Sequence, residues 1–116
     1  MNQNQTELQD RRGLRFPFSA DAEVVLESAP GTLPARVTEL SFLGCYLEIS
    51  AALTEQQRVH VKIFHSEEYF EALGTVLYVR PAGVGVVFAD VKPHFRTVLQ
   101  RWILRALDQQ AKSKRA

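Results

Sequence analysis

The feature that most constrains this chain is a change of hydrophobic rhythm along its length. Between residues 22 and 88 the apolar residues come in short runs that alternate with polar ones, the period of a half-buried strand. From Phe95 they switch to helical spacing, with Phe95, Val98, Leu99, Trp102, Ile103, Ala106 and Leu107 at i, i+3, i+4 and i+7. A sequence that changes period once, near its end, encodes a β body followed by one amphipathic helix.

The breaks between runs are turn signals. AEVVLE (residues 22–27) reads as a strand, and Pro30-Gly31 ends it. Leu33 to Leu40 alternates, Ser41-Phe42-Leu43-Gly44 interrupts it, and Cys45 to Ile49 resumes with Tyr46 and Glu48 opposite Leu47 and Ile49. SAALTEQQ (50–57) reads as a loop with a turn of helix. Val59, Val61 and Ile63 form a clear strand, and Ser66-Glu67-Glu68 turns it. Tyr69 to Val79 is a longer strand with a bulge expected at Gly74. Arg80-Pro81-Ala82-Gly83 closes it, and Val84 to Phe88 returns as its hairpin partner. Short strands at this spacing predict a small antiparallel barrel or sandwich. Pro93 suits a first helical turn, with Asp90 as its upstream cap. The helix should fray after Asp108, and Leu104 falls off its apolar stripe.

Size and composition exclude whole classes. The chain has 116 residues, 46% of them hydrophobic, enough for one globular domain and too apolar for a disordered chain. No apolar run approaches the roughly 18 residues of a membrane span, and Met1 to Asp10 lacks the apolar core of a signal peptide. The single cysteine cannot close an internal disulfide, which fits a reducing, cytoplasmic compartment. The expected organisation is an N-terminal arm (1–9), one domain (10–107) and a basic tail (108–116).

Charge is unevenly placed. The net charge is +1, but residues 1–50 carry −3, residues 51–90 carry −2 and residues 91–116 carry +6. Arg11, Arg12 and Arg15 form a small basic cluster inside the acidic half. The +6 segment raises nucleic-acid binding as a possibility, yet Phe95 and Trp102 lie on the apolar stripe, as core residues rather than stacking platforms. A nucleic-acid polymer is therefore not the expected partner.

Catalytic constellations are missing. There is no Walker loop, Cys-x-x-Cys or Gly-x-Ser-x-Gly. His60 and His65 fall on opposite faces of a continuing strand, the wrong arrangement for a shared metal, and His94 stands alone at the helix start. Cys45 reads as a small core residue. Neither enzyme activity, a metal site nor a cofactor is expected.

Three stretches remain: Arg11-Arg12-Gly13-Leu14-Arg15 before the first strand, Glu39-Leu40-Ser41-Phe42-Leu43-Gly44 at a strand junction, and Gly83-Val84-Gly85-Val86-Val87-Phe88. In this order, on a small β domain, they resemble the PilZ family. That family pairs Arg-x-x-x-Arg with (Asp/Asn)-x-Ser-x-x-Gly. Arg11 and Arg15 match the first motif, with Arg12 as a further basic neighbour. Ser41 and Gly44 match the second, and Glu39 stands where Asp or Asn is usual. The resemblance covers about residues 10–107. It implies a six-stranded antiparallel β-barrel with a C-terminal helix and an N-terminal arm. It also implies a receptor for the bacterial second messenger cyclic di-GMP, which signals to a protein partner that the sequence does not identify.

The residue types suit such a ligand. Guanidinium groups grip phosphate bidentately, bond guanine edges and stack on purine faces. Glu39 and Ser41 offer polar contacts, and Gly44 allows close approach or a positive φ. The ligand-binding residues implied are Arg11, Arg12, Arg15, Glu39, Ser41 and Gly44, with residues 8–15 becoming ordered on binding. Glu39 places its carboxylate about 1.5 Å further from the backbone than Asp would. That departure keeps a second reading open: a PilZ-like adaptor that binds a protein and no nucleotide.

Overall fold

The computed structural model describes residues 14–115, with side chains described as far as Lys112. The arm (1–9), Arg11 and Arg12 lie outside the described residues. Six strands follow in order: β1 (Phe16–Leu26), β2 (Thr32–Leu40), β3 (Gly44–Glu48), β4 (Arg58–His65), β5 (Glu68–Arg80) and β6 (Gly83–Asp90). A single helix, α1 (Pro93–Arg115), ends the chain. The strands close into a barrel in the order β1-β2-β3-β6-β5-β4, and every pairing is antiparallel. Of the two β architectures the alternation allows, the chain forms the barrel.

The period-2 pattern fills its interior. Val24, Val37, Leu47, Val61, Ile63, Phe70 and Val76 are fully buried, and the residues between them face out. Burying each such side chain contributes about 1.5–3 kcal/mol. Tyr46 and Glu48 alternate with Leu47 and Ile49 as expected, and the ladder shifts register at Gly74, the expected bulge. The β4–β5 turn is tight, with Ser66 and Glu67 both at positive φ (52° and 63°). Such a pair suits the right-handed twist of a hairpin at some steric cost, since neither residue is glycine.

Helix α1 seals one end of the barrel against β1 and β5. Trp102 is buried among Phe18 (centroids 5.5 Å apart), His65 (5.4 Å) and Phe70 (6.5 Å). Phe95 packs on Phe70 and Tyr69. Arg101 pairs with Glu68 across the seam. Burial by itself raises the Glu68 carboxyl, but the hydrogen bond and charge of Arg101, with the Trp102 indole and Arg105 adding to them, hold it below its ordinary value. The indole Nε1 is buried and has no hydrogen-bond partner within 3.5 Å among the described residues. Leu104 is exposed, as its position off the stripe predicts.

Three boundaries differ from the sequence reading. β1 begins at Phe16, and Pro17 lies inside it. Residues 16–20 pair only with β2, since the β1–β4 ladder starts at Asp21, and a register shift falls between Pro17 and Ala20. A proline without an N–H is tolerated there. Asp90 is not a helix cap: it ends β6 opposite Leu73, and the helix starts three residues later. Nor does the helix end at Asp108. It continues to Arg115 with an Asp108–Lys112 ion pair at i, i+4 (3.2 Å).

The histidines serve packing and pairing. His60 reaches Glu71 (3.1 Å), while His65 lies against Phe18 and Trp102 on the other side of β4. Cys45 is buried, and burial pushes its thiol up to about 12, which disfavours the thiolate. No helix among the described residues is long and apolar enough to cross a membrane.

Candidate functional site

The junction between β2 and β3 is a tight turn built on Ser41. Its N–H donates to the Gly44 carbonyl (2.9 Å), and its Oγ accepts from the N–H groups of Leu43 and Gly44 (3.1 Å each). The hydroxyl donates back to the Gly44 carbonyl (3.2 Å). Ser41 is buried, and its hydrogen-bonding capacity is used inside the turn. The Ser41 side chain thus fixes the shape of the turn, and it also lines the cavity described below.

Gly44 follows the same logic. It has no positive φ. Its requirement comes from β6: a Cβ at this position would collide with the Val86 carbonyl oxygen. Glycine lets β3 start hard against β6, and the Phe88 N–H bonding to the Leu43 carbonyl (2.7 Å) clamps the turn to that strand. The spacing of Ser41 and Gly44 is that of a turn and the strand start behind it.

Around this turn lies an open cavity of about 200 Å³. Arg15, Glu39, Ser41, Leu43, Gly44 and Tyr78 are among its lining residues. Four of the six residues expected to bind ligand, Arg15, Glu39, Ser41 and Gly44, thus meet at one place on the outer wall of the barrel. Arg15 precedes β1, and Glu39 stands near the end of β2, opposite Pro17 and Tyr46. Arg15 Nη1 lies 3.8 Å from Glu39 Oε1 and donates to the Tyr78 hydroxyl at 2.7 Å. The Arg15 and Glu39 side chains are 50% and 44% exposed, so both remain open to a ligand.

The sequence reading missed the aromatic floor of this site. Tyr46 on β3 and Tyr78 on β5 are both register partners of Gly85 on β6. Gly85 has no side chain there, and a Cβ would strike the Tyr78 ring. The two rings close over it, with centroids 6.3 Å apart and planes at 27°. Arg15 and Arg80 each place a guanidinium against Tyr78, at 5.4 and 4.9 Å from the ring centroid. A glycine on the outward face of a strand often marks the close approach of another group. That signal could have pointed to Tyr46 and Tyr78.

The family model described as PilZ domain matches residues 9–105. The chain belongs to the PilZ family. Among solved structures, this PilZ domain is similar to the PilZ domain of YcgR from Escherichia coli, solved with c-di-GMP. The two share 19% identity and a TM-score of 0.71, over 90% of this chain and 95% of that one. It is also similar to the PilZ domain of CeSA from a cellulose-synthesizing bacterium, at 12% identity and a TM-score of 0.64, covering 84% of this chain and 99% of that one. Bacillus subtilis MotI/DgrA, an inhibitor of motility, matches at 14% identity and a TM-score of 0.65, over 82% of this chain and half (50%) of that one. At these identities the likeness to solved structures is one of fold. No curated protein matches the sequence.

Proposed function

We propose that this PilZ domain is a receptor for cyclic di-GMP, and that the bound form presents a changed surface to a protein partner. The observation that carries the reading is the convergence of Arg15, Glu39, Ser41 and Gly44 on one open cavity beside a tyrosine flanked by two guanidinium groups. The cations and the aromatic rings have chemistry for this ligand. Arg15 and Arg80 offer planar cations to phosphate oxygens and purine faces. Tyr46 and Tyr78 present ring surface for a base, with the exposed Leu43 and Leu77 beside it. Arg11 and Arg12, close to Arg15 in sequence, add charge for the second phosphate.

Nothing in this assembly attacks a phosphodiester. The Ser41 hydroxyl is held in its turn, the Cys45 thiol is buried, and the ligand is bound rather than converted. A partner can be driven only if the ligand prefers one form of the domain over the other. The amides of residues 8–15 are the expected reporters, with exchange slowing when ligand is added.

Calorimetric titration with cyclic di-GMP tests the reading. We expect a dissociation constant at or below tens of micromolar, on the order of −6 kcal/mol. Arg15→Ala and Arg11→Ala should each weaken binding about tenfold or more, and Arg12→Ala less. A folded protein that gives no heat at these concentrations would overturn the reading. It would favour the adaptor alternative, which Glu39 in the usual Asp/Asn position supports. Equal losses from all three arginines would show nonspecific charge attraction instead.

A further inference from the structure

Among the described residues, the same Arg15 nitrogen, Nη1, makes both polar contacts that hold this side chain to the barrel wall: the hydrogen bond to the Tyr78 hydroxyl and the ion pair with Glu39. The guanidinium also rests against the Tyr78 ring. Arg15 is thus engaged by two residues, Glu39 and Tyr78. A phosphate arriving here meets an arginine that already has an anion, and one it must share or displace.

Reach is what permits the contact. Glu39 is anchored on β2, in register with Pro17 and Tyr46, and its carboxylate extends across to the residue that precedes β1. Even with the full glutamate length the Nη1–Oε1 separation is 3.8 Å, at the outer limit of an ion pair. A side chain one methylene shorter falls about 1.5 Å back toward the backbone.

Resting on the cyclic di-GMP reading, we propose that Glu39 is an intramolecular competitor of the ligand's phosphate for Arg15, a residue that sets affinity by occupying the cation the ligand needs. Glu39 then acts through Arg15 and not as an acceptor for the ligand. Its effect is that of a threshold: the messenger must reach a higher concentration before Arg15 changes partner. Both side chains are about half exposed, so the competition is modest, and the expected change on its removal is about two- to fivefold in the dissociation constant.

A double-mutant cycle with cyclic di-GMP as the probe tests it. Glu39→Gln keeps the length and an acceptor oxygen but removes the charge, and it should tighten binding about two- to fivefold. In the Arg15→Ala background the same change should have no effect. Weaker binding by Glu39→Gln would make Glu39 a ligand contact and overturn the proposal. Equal tightening in both backgrounds would also overturn it, because the carboxylate would then be repelling the ligand directly. Side-chain NMR of the ligand-free protein gives an independent check. Rotation of the Arg15 guanidinium should be slowed in the wild type and freed in Glu39→Gln, and the absence of any difference overturns the competition whether or not the dinucleotide binds. If the wild type and every variant fail to bind while that NMR difference is present, the cyclic di-GMP reading fails and the Arg15–Glu39 contact stands for a different anion.

Discussion

The two working regions of this molecule are built on opposite principles. At the helix-sealed end, Trp102, Phe70, Leu99 and Ile103 are buried almost completely, and their contacts are apolar and aromatic. At the β2–β3 site, Arg15, Glu39, Tyr46 and Tyr78 stay partly open, and their contacts are a weak ion pair, one hydrogen bond and cation–ring stacking. The first region gains from excluding water. The second keeps its polar groups accessible, so they remain available to a ligand. On the proposed reading, stability and recognition are carried by different side chains, and substitutions should separate them.

The largest expected effect is on the sealed end. Trp102→Ala removes the ring that touches Phe18, His65 and Phe70 at once, and should cost about 3–5 kcal/mol in urea denaturation. Ligand affinity of whatever fraction remains folded should match the wild type. A comparable stability with a tenfold loss of affinity would show that the two regions are coupled through the barrel.

Gly44 is where the comparison should break. It lines the site, yet what it satisfies is strand packing. Gly44→Ala drives a Cβ into the Val86 carbonyl, and β3 must move from β6 to admit it. We expect a loss of about 1–3 kcal/mol, in the range of overpacked cores. Ligand binding should weaken alongside, because the turn that frames the cavity moves too. Unchanged thermal stability with lost binding would instead make Gly44 a site residue in its own right, kept for approach to the ligand.

The same division explains what could be read from the sequence. The barrel and helix were legible because burial imposes a period, 2 for strands and 3.6 for the helix, and the period survives wherever water is excluded. The boundaries that went astray lie where burial is incomplete. Pro17 reads as a break because its one-sided pairing cannot be seen in sequence. Residues 108–115 carry no apolar stripe to mark them as helix. In the site, Arg15, Glu39, Ser41 and Gly44 were legible by spacing, but the reasons for two of them were not. Ser41 and Gly44 make backbone contacts that only three dimensions supply. Tyr78 was hidden by the ladder itself. Counting by twos from the buried Val76 places Tyr78 inside the barrel. A bulge between those two residues inserts Leu77 and turns Tyr78 outward, beside Gly85. Alternation cannot report a residue at the very point where alternation fails.

The smallest expected effect lies at the polar rim of the sealed end and concerns pH. Glu68 has its carboxyl held below its ordinary value of 4.5 in the folded chain, against the opposing pull of burial, by its pairing with Arg101 and by the charge of Arg105. A group whose folded pKa is lowered adds stability above its unfolded pKa, and that stability disappears as pH falls through the folded one. The Glu68 contribution should therefore be complete at pH 7 and fade below about pH 4.5. Because the pair is exposed, the effect should be a small part of the total acid sensitivity. Glu68→Gln should be slightly less stable than the wild type at pH 7, with the difference closing as pH is lowered toward 3. Urea midpoints for both proteins across that range give the measurement. A gap that stays constant with pH would mean that the carboxylate contributes nothing through its charge. The seam between helix and barrel would then be held by its aromatic packing alone, and the contrast between a sealed apolar end and an open polar site would be sharper than the Arg101–Glu68 pair suggests.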